Sequence, residues 1–347
     1  MDSSTGKYCR LLEAGAGGPE ALAAITGSRA YERFTGNQIA KMEAERAQEM
    51  RDCERISLVS SFVPSVILGD YAPIDVSDGS GMNLLDIHSH DWDDRLLGLV
   101  GPAMRAKLGQ PVASSSVLGS VSPYFVRTFG LSPDCKVVAF TGDNPSSLAG
   151  MRLETGDIVA SLGTSDTLFL SLEQPSPKLQ GHIFCNPVES AAYIALLCYQ
   201  NGSLTREWAK DTFAGGSWEV FDQHLDRTPP GLGGRLGFYY LVPEITPTVA
   251  AQTHRFDAAG HEVNSFEDAA TETRAVVEGH FLGLRAHSEG MGFRLGSRLL
   301  VTGGASVNRS LLQVLADVFG VRVFAMDDSS NSASLGGCFR ALVSASI

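Results

Sequence analysis

Arg298-Leu299-Leu300-Val301-Thr302-Gly303-Gly304-Ala305-Ser306-Val307-Asn308 begins as a short apolar run and breaks into small residues at a glycine pair. Such a run, bounded by turn residues, reads as a buried strand. A helix is expected next over 309–319, then a strand over 321–326 and a glycine-spaced helix over 332–342. Strand, helix, strand, helix is the signature of α/β layers with a largely parallel sheet. Moving outward, Asp157–Leu162 and Asp166–Leu170 are two more apolar runs joined by Gly163-Thr164-Ser165, which predicts a hairpin. A strand is expected over 193–199, with helices over 203–210 and 271–292.

Further upstream, Lys136-Val137-Val138-Ala139-Phe140 is another buried strand that ends at Thr141-Gly142-Asp143-Asn144-Pro145, with a helix starting over 146–150. Residues before about 70 read as helices: 18–25, 28–31 with 37–51, and 56–68. The Asp-, Ser- and Gly-rich segment 72–85 reads as turns around short strands. A helix over 96–107 should break at Gly101-Pro102, and 112–121 should run as loop into strand. The pattern places a domain boundary near residue 151, giving domains 1–150 and 151–347. The second half is complete enough for a core of its own, whereas the first reads as lacking its opening strands.

The chain has 347 residues, 44% of them hydrophobic and 19% charged, so a packed protein of two domains is expected. Its formal charge of -12, with no basic block, argues against nucleic acid or an anionic membrane as partner. No apolar run reaches the roughly 20 residues of a membrane span. Six scattered cysteines without a CxxC pair suit a reducing cytoplasm, and Cys135, Cys185 and Cys198 are expected to be buried. The histidines show no zinc spacing; His88-Ser89-His90 reads as exposed loop, and no metal ligands are assigned.

Three strand ends carry candidate chemistry, because open α/β sheets bind ligands at that edge. Asp143 stands just past a buried strand, where it serves either as a cap for the next helix or as a base accepting a hydroxyl proton. Asn144 beside it can hydrogen-bond sugar hydroxyls. Gly163-Thr164-Ser165 is either a polar hairpin tip or a cradle of amides and hydroxyls for phosphate oxygens. The glycines at 303 and 304 either make an ordinary strand-to-helix turn or let a flat nucleoside lie on bare backbone. The GxxxxGK[ST] spacing of the common phosphate loop is absent.

In this order the segments resemble the FGGY carbohydrate kinases, and among them the animal xylulose kinases. The resemblance is carried by 27–39, 75–85, 137–150, 157–169, 181–187 and 302–319, and it extends over nearly the whole chain. It implies an actin/hexokinase-like (ribonuclease H-like) ATPase fold, with a sugar-binding first domain and an ATP-binding second one. It also implies ATP and Mg²⁺ as cofactors and D-xylulose as the sugar. Asp143 would be the catalytic base, and Arg33, Asp143 and Asn144 would touch the substrate. Gly163, Thr164 and Ser165 would form a phosphate loop, and Gly303, Gly304 and Asn308 would line the adenosine pocket with Trp218. Plain packing explains Trp218 equally, and an exposed helix-start arginine explains Arg33.

The family's opening hairpin, with its Asp-x-Gly/Ser-Thr phosphate motif, has no counterpart here, and the C-terminus stops earlier than in full-length members. The chain is therefore expected to be a fragment, a shortened isoform or an incomplete gene model, with little activity of its own. A kinase for another polyol or sugar, such as glycerol or gluconate, a non-catalytic nucleotide- or sugar-binding remnant and an actin-like structural protein are the competing expectations.

Overall fold

The computed structural model describes residues 2–154, 156–294, 298–326 and 331–345. The chain opens with helices α1 (Gly6–Ala16), α2 (Pro19–Thr26), α3 (Thr35–Glu45), α4 (Ala47–Asp52), α5 (Val59–Leu68) and the single turn α6 (Val76–Gly79). The small hairpin β1 (Leu85–Asp86) and β2 (Asp91–Trp92) leads to α7 (Asp94–Val100) and α8 (Met104–Leu108). Then follow β3 (Val117–Ser120), α9 (Pro123–Phe129), β4 (Lys136–Val138) and α10 (Asp143–Met151). Beyond α10 come β5 (Ile158–Leu162), β6 (Asp166–Leu172), β7 (His182–Cys185), β8 (Tyr193–Tyr199), α11 (Ser203–Phe213) and α12 (Trp218–Arg227). The remainder is β9 (Leu236–Tyr240), β10 (Gln252–Phe256), α13 (Ala269–Gly290), β11 (Leu299–Thr302), α14 (Arg309–Phe319), β12 (Val323–Ala325) and α15 (Ser332–Ala345).

These elements form two compact units. The first comprises Met1–Leu153, Leu172–Ile194 and the C-terminal segment that holds α15; the second comprises Glu154–Ser171 and Ala195–Ser329. In the first, Leu22, Ile74, Met82, Leu84, Leu85, Ile87, Leu96 and Leu108 are fully buried between short helices. β3 and β4 pair antiparallel with a register shift between Val117 and Gly119. α10 meets α15 backbone to backbone. A Cβ on Gly150 would stand 1.9 Å from the Ser332 carbonyl oxygen, and one on Gly336 1.7 Å from that of Ser146. Only glycine permits that approach.

The second unit is built on strands in the order β12-β11-β5-β6-β8. β11 runs parallel to β12 and β5, but β5 and β6 are antiparallel. The sheet is thus mixed rather than largely parallel. A three-residue link between β5 and β6 cannot make the crossover that parallel strands need. Phe221 on α12, Phe281 on α13 and Phe319 on α14 are wholly buried and form the helical side of this core.

Other expectations also shift. The segment 28–31 is not helical, because the Asn83 amide donates to the carbonyls of Ser28 and Arg29 at 3.2 Å each and holds them out of a helix. The helix expected over 37–51 is interrupted at Arg46 (φ -137°, ψ 50°). Cys185 is buried as expected, but Cys198 is half-buried and Cys135, next to the exposed outer end of β4, is exposed. His88 and Ser89 lie exposed in the β1–β2 turn. Among the described residues no helix is long and apolar enough to cross a membrane, and no three His, Cys, Asp or Glu side chains form a ready metal cluster.

Candidate active site

In the second unit β5 and β11 end side by side, with Ser161 opposite Thr302 in parallel register. Gly303 follows with φ +86°, and a Cβ there would stand 2.5 Å from the Leu162 carbonyl oxygen. A side chain at 303 would therefore hold the two strand ends apart. Because 303 is glycine, the 163–165 turn and the 303–308 turn share one sheet edge. These are two of the three segments singled out in the sequence.

Past Gly303 the chain makes a 3₁₀ turn, Gly304–Val307, and Asn308 then caps α14 by accepting from the Leu311 amide at 2.9 Å. Its side-chain nitrogen donates to Asp222 on α12 at 2.7 Å. Asn308 thus ties the start of α14 to α12. Trp218 opens α12 with 44% of its surface exposed, edge-on to Phe221 and with the Lys210 ammonium 5.4 Å from its ring centre. A half-exposed ring carrying a cation on one side is not plain core packing.

In the first unit Asp143 is the first residue of α10; Gly142 is the N-cap residue. The Asp143 side chain accepts from the Asn144 amide at 2.8 Å, and both residues are exposed. Beside them stands a carboxylate that sequence reasoning did not single out. Asp78 lies so close to the Gly142 backbone that a Cβ there would be 2.7 Å from Asp78 Oδ1. Ser60 donates to its other oxygen at 2.5 Å. Burial pushes the Asp78 carboxyl above the usual range, and the neighbouring Asp143 charge adds to the rise. Asp75, three residues earlier, accepts from the amides of Ser77 and Asp78 and from the Ser114 hydroxyl. Burial pushes it up to about 6.

Arg33 is exposed in the turn before α3. The turn is fixed by Asn83, whose side chain accepts from the Tyr31 amide and from Asn37 and donates to Thr26, Ser28 and Arg29. On either side of Arg33, the rings of Tyr31 and Phe34 lie 5.3 and 4.9 Å from His182 on β7. Burial holds the His182 imidazole down at about 4, so it is neutral at pH 7. Ser77 donates to the Cys185 carbonyl at 2.6 Å, and Ser80 accepts from the Cys185 amide at 3.1 Å. Segments 27–39, 75–85 and 181–187 are thereby one assembly in this unit.

Residues 1–150 match the N-terminal domain of the FGGY family of carbohydrate kinases, and residues 158–345 match its C-terminal domain. The chain belongs to that family. This FGGY chain is 54% identical to the xylulose kinase of Rattus norvegicus over 343 residues, 98% of its own length and 63% of that protein's. It is 44% identical to xylulose kinase 2 of Arabidopsis thaliana, again over 98% of its length and 63% of the relative's. It spans, then, less than two thirds of each. The crystal structure of xylulose kinase from Bifidobacterium adolescentis superposes with a TM-score of 0.84 at 19% identity, covering 99% of this FGGY chain and 75% of that one. The fold is accordingly the actin/hexokinase-like ATPase fold of the FGGY sugar kinases.

Proposed function

We propose that the chain transfers the γ-phosphate of ATP to D-xylulose, giving D-xylulose 5-phosphate. The observation that carries the phosphate chemistry is the meeting of Gly303 with the Leu162 carbonyl, which sets two small-residue turns on one strand edge. The sugar is suggested by the xylulose kinases it resembles at 54% and 44% identity. Residues 1–150 would serve the sugar and 151–347 the nucleotide.

Asp143 is the proposed base. It removes the proton from the terminal hydroxyl as that oxygen attacks phosphorus, and such assistance is worth about 10²–10⁴-fold. Its exposure leaves it reachable by a sugar hydroxyl, with the Asp78 carboxyl alongside. Arg33 and Asn144 orient the sugar hydroxyls. The amides and hydroxyls of Gly163, Thr164 and Ser165 hold phosphate oxygens, and Gly303, Gly304, Asn308 and Trp218 receive the adenosine. Magnesium needs only one or two carboxylates besides phosphate and water. Asp78 and Asp143 would hold such an ion, which when bound would supply charge neutralisation for the phosphate oxygens. Six free cysteines favour a reducing compartment such as the cytoplasm.

The test is to incubate the purified chain with ATP, magnesium and a panel of D-xylulose, glycerol and gluconate, reading sugar phosphate by mass. D-Xylulose should be the preferred acceptor, and Asp143→Asn should lower its turnover at least about 100-fold. A preference for glycerol or gluconate would replace the substrate. ADP binding without any phosphorylated sugar would leave a binding protein in place of a kinase.

A further inference from the structure

The first residue of β6, Asp166, is 1% exposed, yet it is a carboxylate at the end of the turn that begins with Gly163. Arg206 on α11 grips it with two bonds, 2.6 Å to Oδ2 and 3.0 Å to Oδ1. His280 on α13 donates to Oδ2 at 2.9 Å. Burial alone would raise this carboxyl, but the His280 and Arg206 donors outweigh it and hold it below the usual range. An ionised carboxylate only accepts, so His280 carries its proton on Nε2.

The same arginine also reaches the turn itself. Arg206 Nη2 lies 3.4 Å from the Gly163 carbonyl oxygen, and the Ser203 amide in the first turn of α11 donates to that oxygen at 2.9 Å. Gly202 closes the contact: a Cβ there would stand 2.7 Å from the Thr164 carbonyl oxygen and 2.9 Å from the Asp166 amide nitrogen. The peptide between Gly163 and Thr164 is trans and planar, so its N–H points opposite to its C=O. Fixing the carbonyl toward α11 therefore aims the Thr164 N–H away from α11.

We infer that Asp166, Arg206 and His280 are positioning residues, which brace the 163–165 turn so that the Thr164 amide is held ready for a phosphate oxygen. This rests on the phosphate role proposed above for that turn. A preset donor gives up no ordering entropy when the ligand arrives, and bound phosphate gains from it while the nucleoside does not.

Hydrogen exchange on the intact chain gives a readout that needs no ligand. In Asp166→Asn and His280→Ala, amides 163–166 should exchange at least about tenfold faster, with those of α14 unchanged. His280→Gln keeps an N–H donor and should stay near the parent rate. Should Asp166→Asn fail to fold, His280→Ala carries the test, since it leaves the Asp166–Arg206 pair intact. Calorimetry with ADP plus magnesium, and separately with adenosine, should show ADP weakened about tenfold by the same variants and adenosine unaffected. A merely structural role would move both ligands together. Unchanged exchange across the variants overturns the inference. Faster exchange with undiminished ADP affinity removes phosphate from the turn, and the inference then falls with the reading beneath it.

Discussion

The two units bury charge differently. In the second, Arg274 meets Glu278 at 2.6 Å and Asp317 at 3.1 Å, Arg255 meets Glu272 at 2.9 Å, and Arg206 meets Asp166 at 2.6 Å. In the first, the deeply buried Asp75 is held by two amides and a hydroxyl, and Arg340 donates to the carbonyls of Ser114 and Ala139. The first unit also leaves apolar side chains exposed. On α5, Val59 is 81% and Phe62 60% exposed, and α9 buries none of its residues. The second unit is cross-linked by ion pairs that resist removal of either partner. In the first, the buried charged residues Asp75 and Arg340 are met by backbone groups and a hydroxyl instead.

The contrast breaks most sharply at Arg274, which also donates to the Leu225 and Thr228 carbonyls. Arg274→Ala leaves Glu278 buried without its cation, and such losses cost about 3–5 kcal/mol. Urea unfolding followed by Trp208 and Trp218 fluorescence would measure it. A loss below about 1 kcal/mol would end the claim that paired charges hold the second unit.

Next comes Asp75, whose carboxyl is raised to about 6 in the fold. Between its ordinary value near 4 and about 6, the unfolded chain has released this proton while the folded unit keeps it. Stability from this group therefore falls as pH rises through that window, by about 3 kcal/mol at most, and stays low above it. Asp75→Asn should flatten the slope, as seen by comparing urea midpoints of the two proteins from pH 4 to 7. Parallel profiles would mean that the buried carboxyl is ionised throughout.

The smallest effect is expected on the exposed face. Phe62→Ser should change the melting free energy by no more than about 0.5 kcal/mol, as for other surface substitutions. A cost above about 1 kcal/mol would mean that α5 is covered in solution, and its apolar face would not be exposed after all.

Much of the second unit was legible because its local signals agree. The β5–β6 hairpin follows from two apolar runs around Gly163-Thr164-Ser165. α14 has the expected bounds, 309–319, because Asn308 caps it and Gly320 turns left-handed after it. The β9–β10 hairpin was not read, since its strands are separated by a link containing Pro243 and Pro247. α1 was missed as well: Thr5 makes no side-chain cap bond to mark its start. Asp143 and the strand-end glycines stood out through their place in the chain. The Asp166–Arg206–His280 cluster did not, because its members are 40 and 114 residues apart and only the fold unites them. Asp78 was hidden for the same reason, although a second acid in Asp75-Val76-Ser77-Asp78 was a signal that could have prompted the search.

The helix that packs on α10, α15, is the last one among the described residues. Ser146 donates to the Ala333 carbonyl across 187 residues, and Gly150 touches Ser332. At about 5–20 residues per second, the ribosome would deliver α15 roughly ten to forty seconds after α10. Until then the glycine surface of α10 has no lid, and the second unit must emerge before the first can finish folding. Cutting the gene between the two family domains would make that wait permanent.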